Sequence, residues 1–310
     1  MKYCFGVDIG GTTVKMGLFQ EDGKLLDKWE IVTRVENEGE AILPDIAASI
    51  AAKLEECKIE KEAIIGVGVG VPAAVQEEGI VKKTSNLGWG YKEVKRELEE
   101  LTGLNIKIGN DANVAALGEM WKGGGIGYKN LVMVTLGTGV GGGIILDGRI
   151  LVGVNGIAGE IGHLQVNEEE TESCGCDRKG CLEQYASATG IVRMAKQILA
   201  DNTEKTVLKA ESVTAKDVFD AVKAGDAVAM KVAEKFGAYL GQALNSIAIV
   251  LDPDIFVIGG GVSRAGEVLI DYIKKYYVGK ALWATKDVKF ALATLGNDAG
   301  IYGAAKLALE

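Results

Sequence analysis

The chain has 310 residues, 48% of them apolar and 25% charged, which suits a soluble globular protein with room for two lobes. Its formal net charge of −9, from 34 basic and 43 acidic residues, argues against a nucleic-acid partner or an anionic membrane surface. No apolar run reaches the roughly eighteen residues a membrane span needs, the N-terminus has no leader-like pattern, and five cysteines do not make a disulfide framework, so a cytoplasmic protein is expected.

In chain order, YCFGVDI and TVKMGLF read as strands joined at Gly10 and Gly11, and LLDKWEIV as a third. The apolar spacing turns helical from Ile42 to Leu54. AIIGVGVGV (63–71) reads as a buried strand, YKEVKRELEELTG as a helix closing at Gly103, and IKIGN as a further strand; Asp111 then opens the helix DANVAALGEMW. After KGGGIGY the plan begins again, with NLVMVTL and GGGIIL joined through GTGVG. Helices follow the cysteine-rich segment. The clearest covers 226–251, where Val228, Val232, Phe236, Leu240 and Leu244 fall every fourth residue on one face. DIFVIGGGV is a strand running into glycines, and DAGIYGAAKLAL a terminal helix. The pattern is a duplicated α/β plan, with lobes over 1–118 and 119–296.

Three glycine segments lie at strand ends. DIGGTT (8–13) sets Gly10 and Gly11 between strands, followed by the hydroxyls of Thr12 and Thr13. Backbone N–H groups without a Cβ beside them can approach a phosphate closely, and Asp8 is placed to hold Mg²⁺ through water. The same residues also suit an ordinary hairpin turn. LGTGVGGG (136–143) repeats the arrangement around Thr138 and Gly139, and at Gly260 in IGGGVS a flat base could lie over bare backbone. None is a GxxxxGK[ST] loop.

Asp111, in GNDAN, stands where a strand hands over to a helix, a position that suits an N-cap as well as a catalytic carboxylate. CGCDRKGC places Cys174, Cys176 and Cys181 within eight residues, and the chain's single histidine, His163, lies upstream. Three thiolates and an imidazole are a complete tetrahedral set for zinc, with no position left for an activated water, so a structural Zn²⁺ is expected. Glu160 and Glu183 lie three and two residues from ligands. Each is also the kind of residue most often found as a solvated surface carboxylate.

The strings DIGGTT, NDAN, LGTGVGGG, GEIGH, CGCDRKGCLE and IGGGV resemble the ROK sugar kinases, bacterial ROK glucokinases above all, over essentially the full chain. The resemblance implies an α/β fold of two ribonuclease-H-like lobes around a cleft, the actin/hexokinase-type ATPase fold, with the final helix (297–310) returning to the first lobe. It implies transfer from ATP to glucose with Asp111 as catalytic base. It also implies sugar contacts from Asn86, Asn110, Asp111, Glu160, His163 and Glu183, and a homodimer. Serine at Cys176 is then expected to raise the sugar KM far more than the ATP KM. Three departures stand out: Thr13 where lysine is frequent, Ala73 after Pro72 where glycine is frequent, and Asp177 in the cysteine segment. A kinase of another hexose or N-acetylhexosamine, or a non-catalytic sugar sensor, fits the same motifs. A sugar-responsive repressor would need a helix-turn-helix before the first strand.

Overall fold

A computed structural model describes every residue except Glu77 and Ser85. The chain forms two compact units: unit 1 comprises Met1–Lys129, Gly143–Gly159 and Leu295–Glu310, and unit 2 comprises Asn130–Gly142 and Glu160–Thr294. Residues 143–159 fold with unit 1, whereas a division at 118/119 would assign them to the second lobe.

Unit 1 opens with β1 (Tyr3–Ile9), β2 (Thr13–Gln20), β3 (Leu25–Val32), α1 (Ile42–Cys57) and β4 (Ile64–Val71). It continues through the short β5 (Ile80–Val81) and β6 (Lys92–Glu93), α2 (Val94–Thr102), β7 (Ile106–Asn110) and α3 (Asp111–Lys122). Its sheet is ordered β3-β2-β1-β4-β7: an antiparallel meander extended by two parallel strands, the pattern of a ribonuclease-H-like lobe. Because strand side chains alternate, Phe5, Val7 and Ile9 enter one core with Ile42, Ile46 and Ile50 of α1, while Cys4 joins the opposite face. Asp8 shares that opposite face at the end of the strand.

Unit 2 is built from β8 (Leu131–Leu136), the start of β9 (Val140–Leu146), α4 (Glu183–Ala186), α5 (Ala188–Ala200), α6 (Ala215–Lys223), α7 (Ala227–Leu251), β11 (Ile255–Gly259), α8 (Glu267–Val278) and β12 (Lys289–Leu292). β9 runs on into unit 1, where β10 (Arg149–Ile150) pairs with it. β8, β11 and β12 form a parallel ladder. α7 starts at Asp226, whose side chain accepts from the N–H groups of Val228 and Ala229. All five residues of its predicted face are fully buried. No helix among the described residues is long and apolar enough to cross a membrane.

The last helix, α9 (Ala299–Ala308), belongs to unit 1 and covers the face of β1 and β4 opposite α1. Glycine permits that approach. A Cβ on Gly68 would lie 1.8 Å from the carbonyl oxygen of Ala304, and one on Gly303 would lie 1.6 Å from that of Val114 in α3. The alternating glycines of AIIGVGVGV thus admit a helix, and that helix runs back to the end of β1 where Asp8 stands.

Candidate active site

In unit 1 the strand–helix junction at 110–111 is the place where Asp111 suited an N-cap as well as a catalytic carboxylate. Asn110 is the N-cap: its Oδ1 accepts from the N–H groups of Ala112 (3.0 Å) and Asn113 (3.1 Å). Asp111 is instead the first helical residue, and the capping reading of Asp111 passes to Asn110. Asp111 Oδ1 accepts from Asn110 Nδ2 at 3.0 Å and from the Ala112 N–H at 2.8 Å, which orients the carboxylate. Asn110 Nδ2 also donates to the Ala73 carbonyl at 3.1 Å, so the Asn110 amide is engaged at both ends.

Asp8 is close enough to Asp111 for the two charges to interact. Burial, reinforced by the Asp111 charge and opposed by Lys15, pushes the Asp8 carboxyl up to about 6. The N-terminal turn of α9 closes over it: a Cβ on Gly300 would lie 2.5 Å from Asp8 Cγ. The Asp8 carboxyl is thus held beside a second carboxylate with its charged form disfavoured.

Three of the four backbone carbonyls of the Gly10–Thr13 turn are taken up by the protein. The Gly10 carbonyl accepts from Thr33 Oγ1 (2.7 Å), that of Thr12 from the Thr33 N–H (2.9 Å) and that of Thr13 from the Gly10 N–H (3.0 Å). The N–H groups of Gly11 and Thr12 have no partner among the described residues. Two N–H groups are thus left against one carbonyl, that of Gly11, a balance toward donors that suits an anion such as phosphate. Asn86 is beside it, with its Nδ2 3.2 Å from where a Gly11 Cβ would be. Ser85, the residue before it, lies outside the described residues.

Unit 2 repeats this asymmetry at 137–139. The Gly137 carbonyl accepts from the Ala188 N–H (2.8 Å), that of Thr138 from Thr189 Oγ1 (2.7 Å) and that of Gly139 from the Gly137 N–H (3.0 Å). The N–H groups of Thr138 and Gly139 have no partner among the described residues. Beside this loop is a pocket of about 550 Å³, whose lining includes Gly137, Thr138, Lys216, Phe219, Gly261 and Arg264. Gly260 is not in that lining. Its φ of +83° and the Leu136 backbone, 2.6 Å from where its Cβ would be, explain its glycine by packing, and Gly261 is the residue with open space beside it. The sequence reading missed Thr214, Lys216, Phe219 and Arg264. Only the capping box of Thr214 and Asp217 leaves a sequence signal there, and it marks a helix start, not a pocket.

His163, Cys174, Cys176 and Cys181 come together, with all four donor atoms within 4.8 Å of one another. Cys176 Sγ and Cys181 Sγ are 3.7 Å apart, and Cys174 Sγ is 3.9 Å from His163 Nδ1. A tetrahedron with Zn–S bonds near 2.3 Å has edges of about 3.8 Å, so the set fits zinc. Burial and the neighbouring thiols push Cys181 up to about 12, so without a cation this thiol keeps its proton. Because Nδ1 faces the sulfurs, Nε2 is the histidine's outward nitrogen. Asp177 takes a φ of +63°, a left-handed conformation that aspartate tolerates better than most residues. Glu160 is exposed and leads directly into the single turn that carries His163. Glu183 Oε1 lies 3.8 Å from Cys174 Sγ, while its Oε2 accepts from the Val140 N–H at 2.9 Å.

Comparison with known proteins agrees with these motifs. The ROK family pattern matches residues 4–310. A glucokinase of Halalkalibacterium halodurans is 45% identical over 308 residues, covering 97% of this chain and 93% of that protein. Two solved structures align over 98% of this chain. One, a ROK family glucokinase from Streptomyces griseus in complex with glucose and AMPPNP, is 34% identical with a TM-score of 0.75 over 98% of its own chain. The other, a ROK hexokinase from Thermus thermophilus, is 31% identical with a TM-score of 0.82 over 97% of its own. The fold is accordingly the actin/hexokinase-type ATPase fold, and this chain belongs to the ROK family.

Proposed function

We propose that this chain transfers the γ-phosphoryl group of ATP to the 6-hydroxyl of glucose, giving glucose 6-phosphate and ADP. The observation that carries the reading is its near full-length likeness to glucokinases. The geometry supplies the means. Asp111, oriented by Asn110 and the Ala112 N–H, accepts the proton of the attacking hydroxyl. The unengaged N–H groups of Gly11, Thr12, Thr138 and Gly139 receive phosphate oxygens, with hydroxyls from Thr12, Thr13 and Thr138, and the pocket lined by Phe219 and Gly261 takes the base. Asp8 is the residue to hold Mg²⁺ through water; when bound, that ion supplies charge neutralisation on the phosphates.

On the sugar side the proposed contacts are Glu160, His163 through Nε2, Glu183, Asn86 and Asp111. Asn110 joins them if its Nδ2 exchanges the Ala73 carbonyl for a sugar hydroxyl. His163, Cys174, Cys176 and Cys181 would hold a structural Zn²⁺ that fixes the orientation of His163 and Glu183. The same reading includes a cytoplasmic homodimer. Trp283, 83% exposed, is a residue whose burial would reveal a subunit contact.

The test is coupled ADP release with Mg·ATP over glucose, mannose, fructose, N-acetylglucosamine and N-acetylmannosamine, with Asp111→Asn alongside. Turnover highest on glucose and lost in the variant is the expected result. A preference for an N-acetyl sugar would move the substrate and keep the chemistry. No turnover on any sugar would leave a binding protein.

A further inference from the structure

The loop at 137–140 is not held by its own sheet alone. The polypeptide leaving the cysteine cluster passes beside it and bonds to it three times in seven residues: Glu183 Oε2 accepts from the Val140 N–H, the Ala188 N–H donates to Gly137, and Thr189 Oγ1 donates to Thr138. Gly139 is shaped by the same contact. A Cβ there would lie 2.2 Å from Glu183 Oε2, so this glycine makes room for a carboxylate inside the protein. The segment is internally braced as well. Ser187 Oγ donates to the Glu183 carbonyl at 2.6 Å and accepts from the Gly190 N–H at 2.9 Å, capping α5, and the Cys181 N–H donates to Gln184 Oε1 at 3.1 Å. A second support comes from the GEIGH segment, where a Cβ on Gly162 would lie 2.1 Å from the Val140 carbonyl oxygen. Val140 is therefore contacted from both flanks of the cysteine cluster.

These contacts orient the loop. With the carbonyls of Gly137 and Thr138 turned to the segment, the loop's unengaged N–H groups are left for a ligand. We propose that Cys181–Thr189 is a strap that positions the nucleotide-phosphate loop, with Glu183 and Thr189 as its positioning residues, so that the grip on nucleotide depends on the same segment that carries a sugar-side carboxylate. This rests on the reading that the loop at 137–140 holds phosphates. It also replaces the expectation that the cysteine cluster serves the sugar alone: disturbing the strap weakens nucleotide binding even when no sugar is present.

Thr189 separates the two roles, because it is exposed, lies outside the cysteine cluster and, among the described residues, its side chain bonds only to the loop and to Ser187. The experiment is isothermal titration of Thr189→Val, Thr189→Ser and Thr138→Val with Mg·AMPPNP, with adenosine and with glucose, each alone. Thr189→Val is expected to weaken AMPPNP about 5-fold, the worth of one hydrogen bond, with adenosine and glucose changed less than about 2-fold, and Thr189→Ser to restore wild-type affinity. If Thr189→Val binds AMPPNP normally while Thr138→Val does not, the loop grips phosphates and the strap is refuted. If neither variant weakens AMPPNP, the phosphate reading of this loop fails and takes the proposal with it. Equal weakening of all three ligands by Thr189→Val would mean general loosening and would also overturn it.

Discussion

The two glycine loops present similar unengaged N–H groups and are held in different ways. In unit 1 the Gly10–Thr13 turn is braced by one neighbour, Thr33, just past the end of β3 in the same sheet. In unit 2 the Gly137–Val140 loop is braced by a segment more than forty residues downstream that issues from the cysteine cluster. The first arrangement is complete once its sheet has formed; the second also requires the cluster to be ordered. Matched chemistry on unequal supports means that one damaged support should affect one loop and spare the other.

The largest expected effect tests whether unit 1 carries the chemistry. Asp111→Asn should lower kcat roughly 10³-fold, within the range for loss of a general base, while AMPPNP affinity by titration changes little and glucose affinity falls by no more than about tenfold, the worth of one contact. A comparable loss in affinity would mean that Asp111 acts through binding and not as the base. Next is Asp8. Its folded pKa, raised to about 6, lies above the ordinary carboxylate value, so protonation favours the folded state. That contribution is fully present below about pH 4 and is lost as the pH rises through about 6. Above that pH the buried charge costs about 2–3 kcal/mol, from a shift of about two pH units. Without Mg²⁺ or nucleotide, Asp8→Asn should therefore melt several degrees higher than wild type at pH 7.5. The advantage should vanish near pH 4; a constant difference across pH would show that Asp8 is not held in this raised state.

Much of this could be read from the sequence, for reasons that differ by region. The α7 face and the β1 alternation follow directly from helical and strand periods, because side-chain direction is local. The Cys₃His set was readable because few other arrangements concentrate those donors. The cap at 110–111 was misassigned by one residue, since asparagine and aspartate cap equally well and only the backbone angles separate them. At Gly139 and Gly260 the sequence suggested room for a ligand, and each also makes room for a neighbour inside the protein, Glu183 and Leu136. Glycine in a sequence reports that something comes close and not what it is. Thr33 and Thr189 were invisible because their partners are set by tertiary packing.

A third test breaks the comparison at its remote support. Cys176→Ser should lose bound zinc, measured by elemental analysis, and weaken both glucose and AMPPNP by about tenfold or more in separate titrations. Loss of zinc with glucose weakened and AMPPNP unchanged would restore the narrower view, in which the cluster organises only the sugar wall and the phosphate loop stands alone.

The smallest effect belongs to the local support and sharpens the comparison most. Thr33→Val keeps the shape of a nearly buried side chain but removes the hydroxyl that donates to the Gly10 carbonyl at 2.7 Å. The carbonyl can then turn, and the turn's donors with it, for a net worth near that of one hydrogen bond. AMPPNP should weaken about 5-fold while zinc content and glucose affinity stay at wild-type values. Combined with Thr189→Val, the two losses should multiply, because the supports lie in different units and share no partner. A combined loss no greater than either single one would mean that the two loops do not hold the same nucleotide independently, and the comparison would have to be redrawn around one of them.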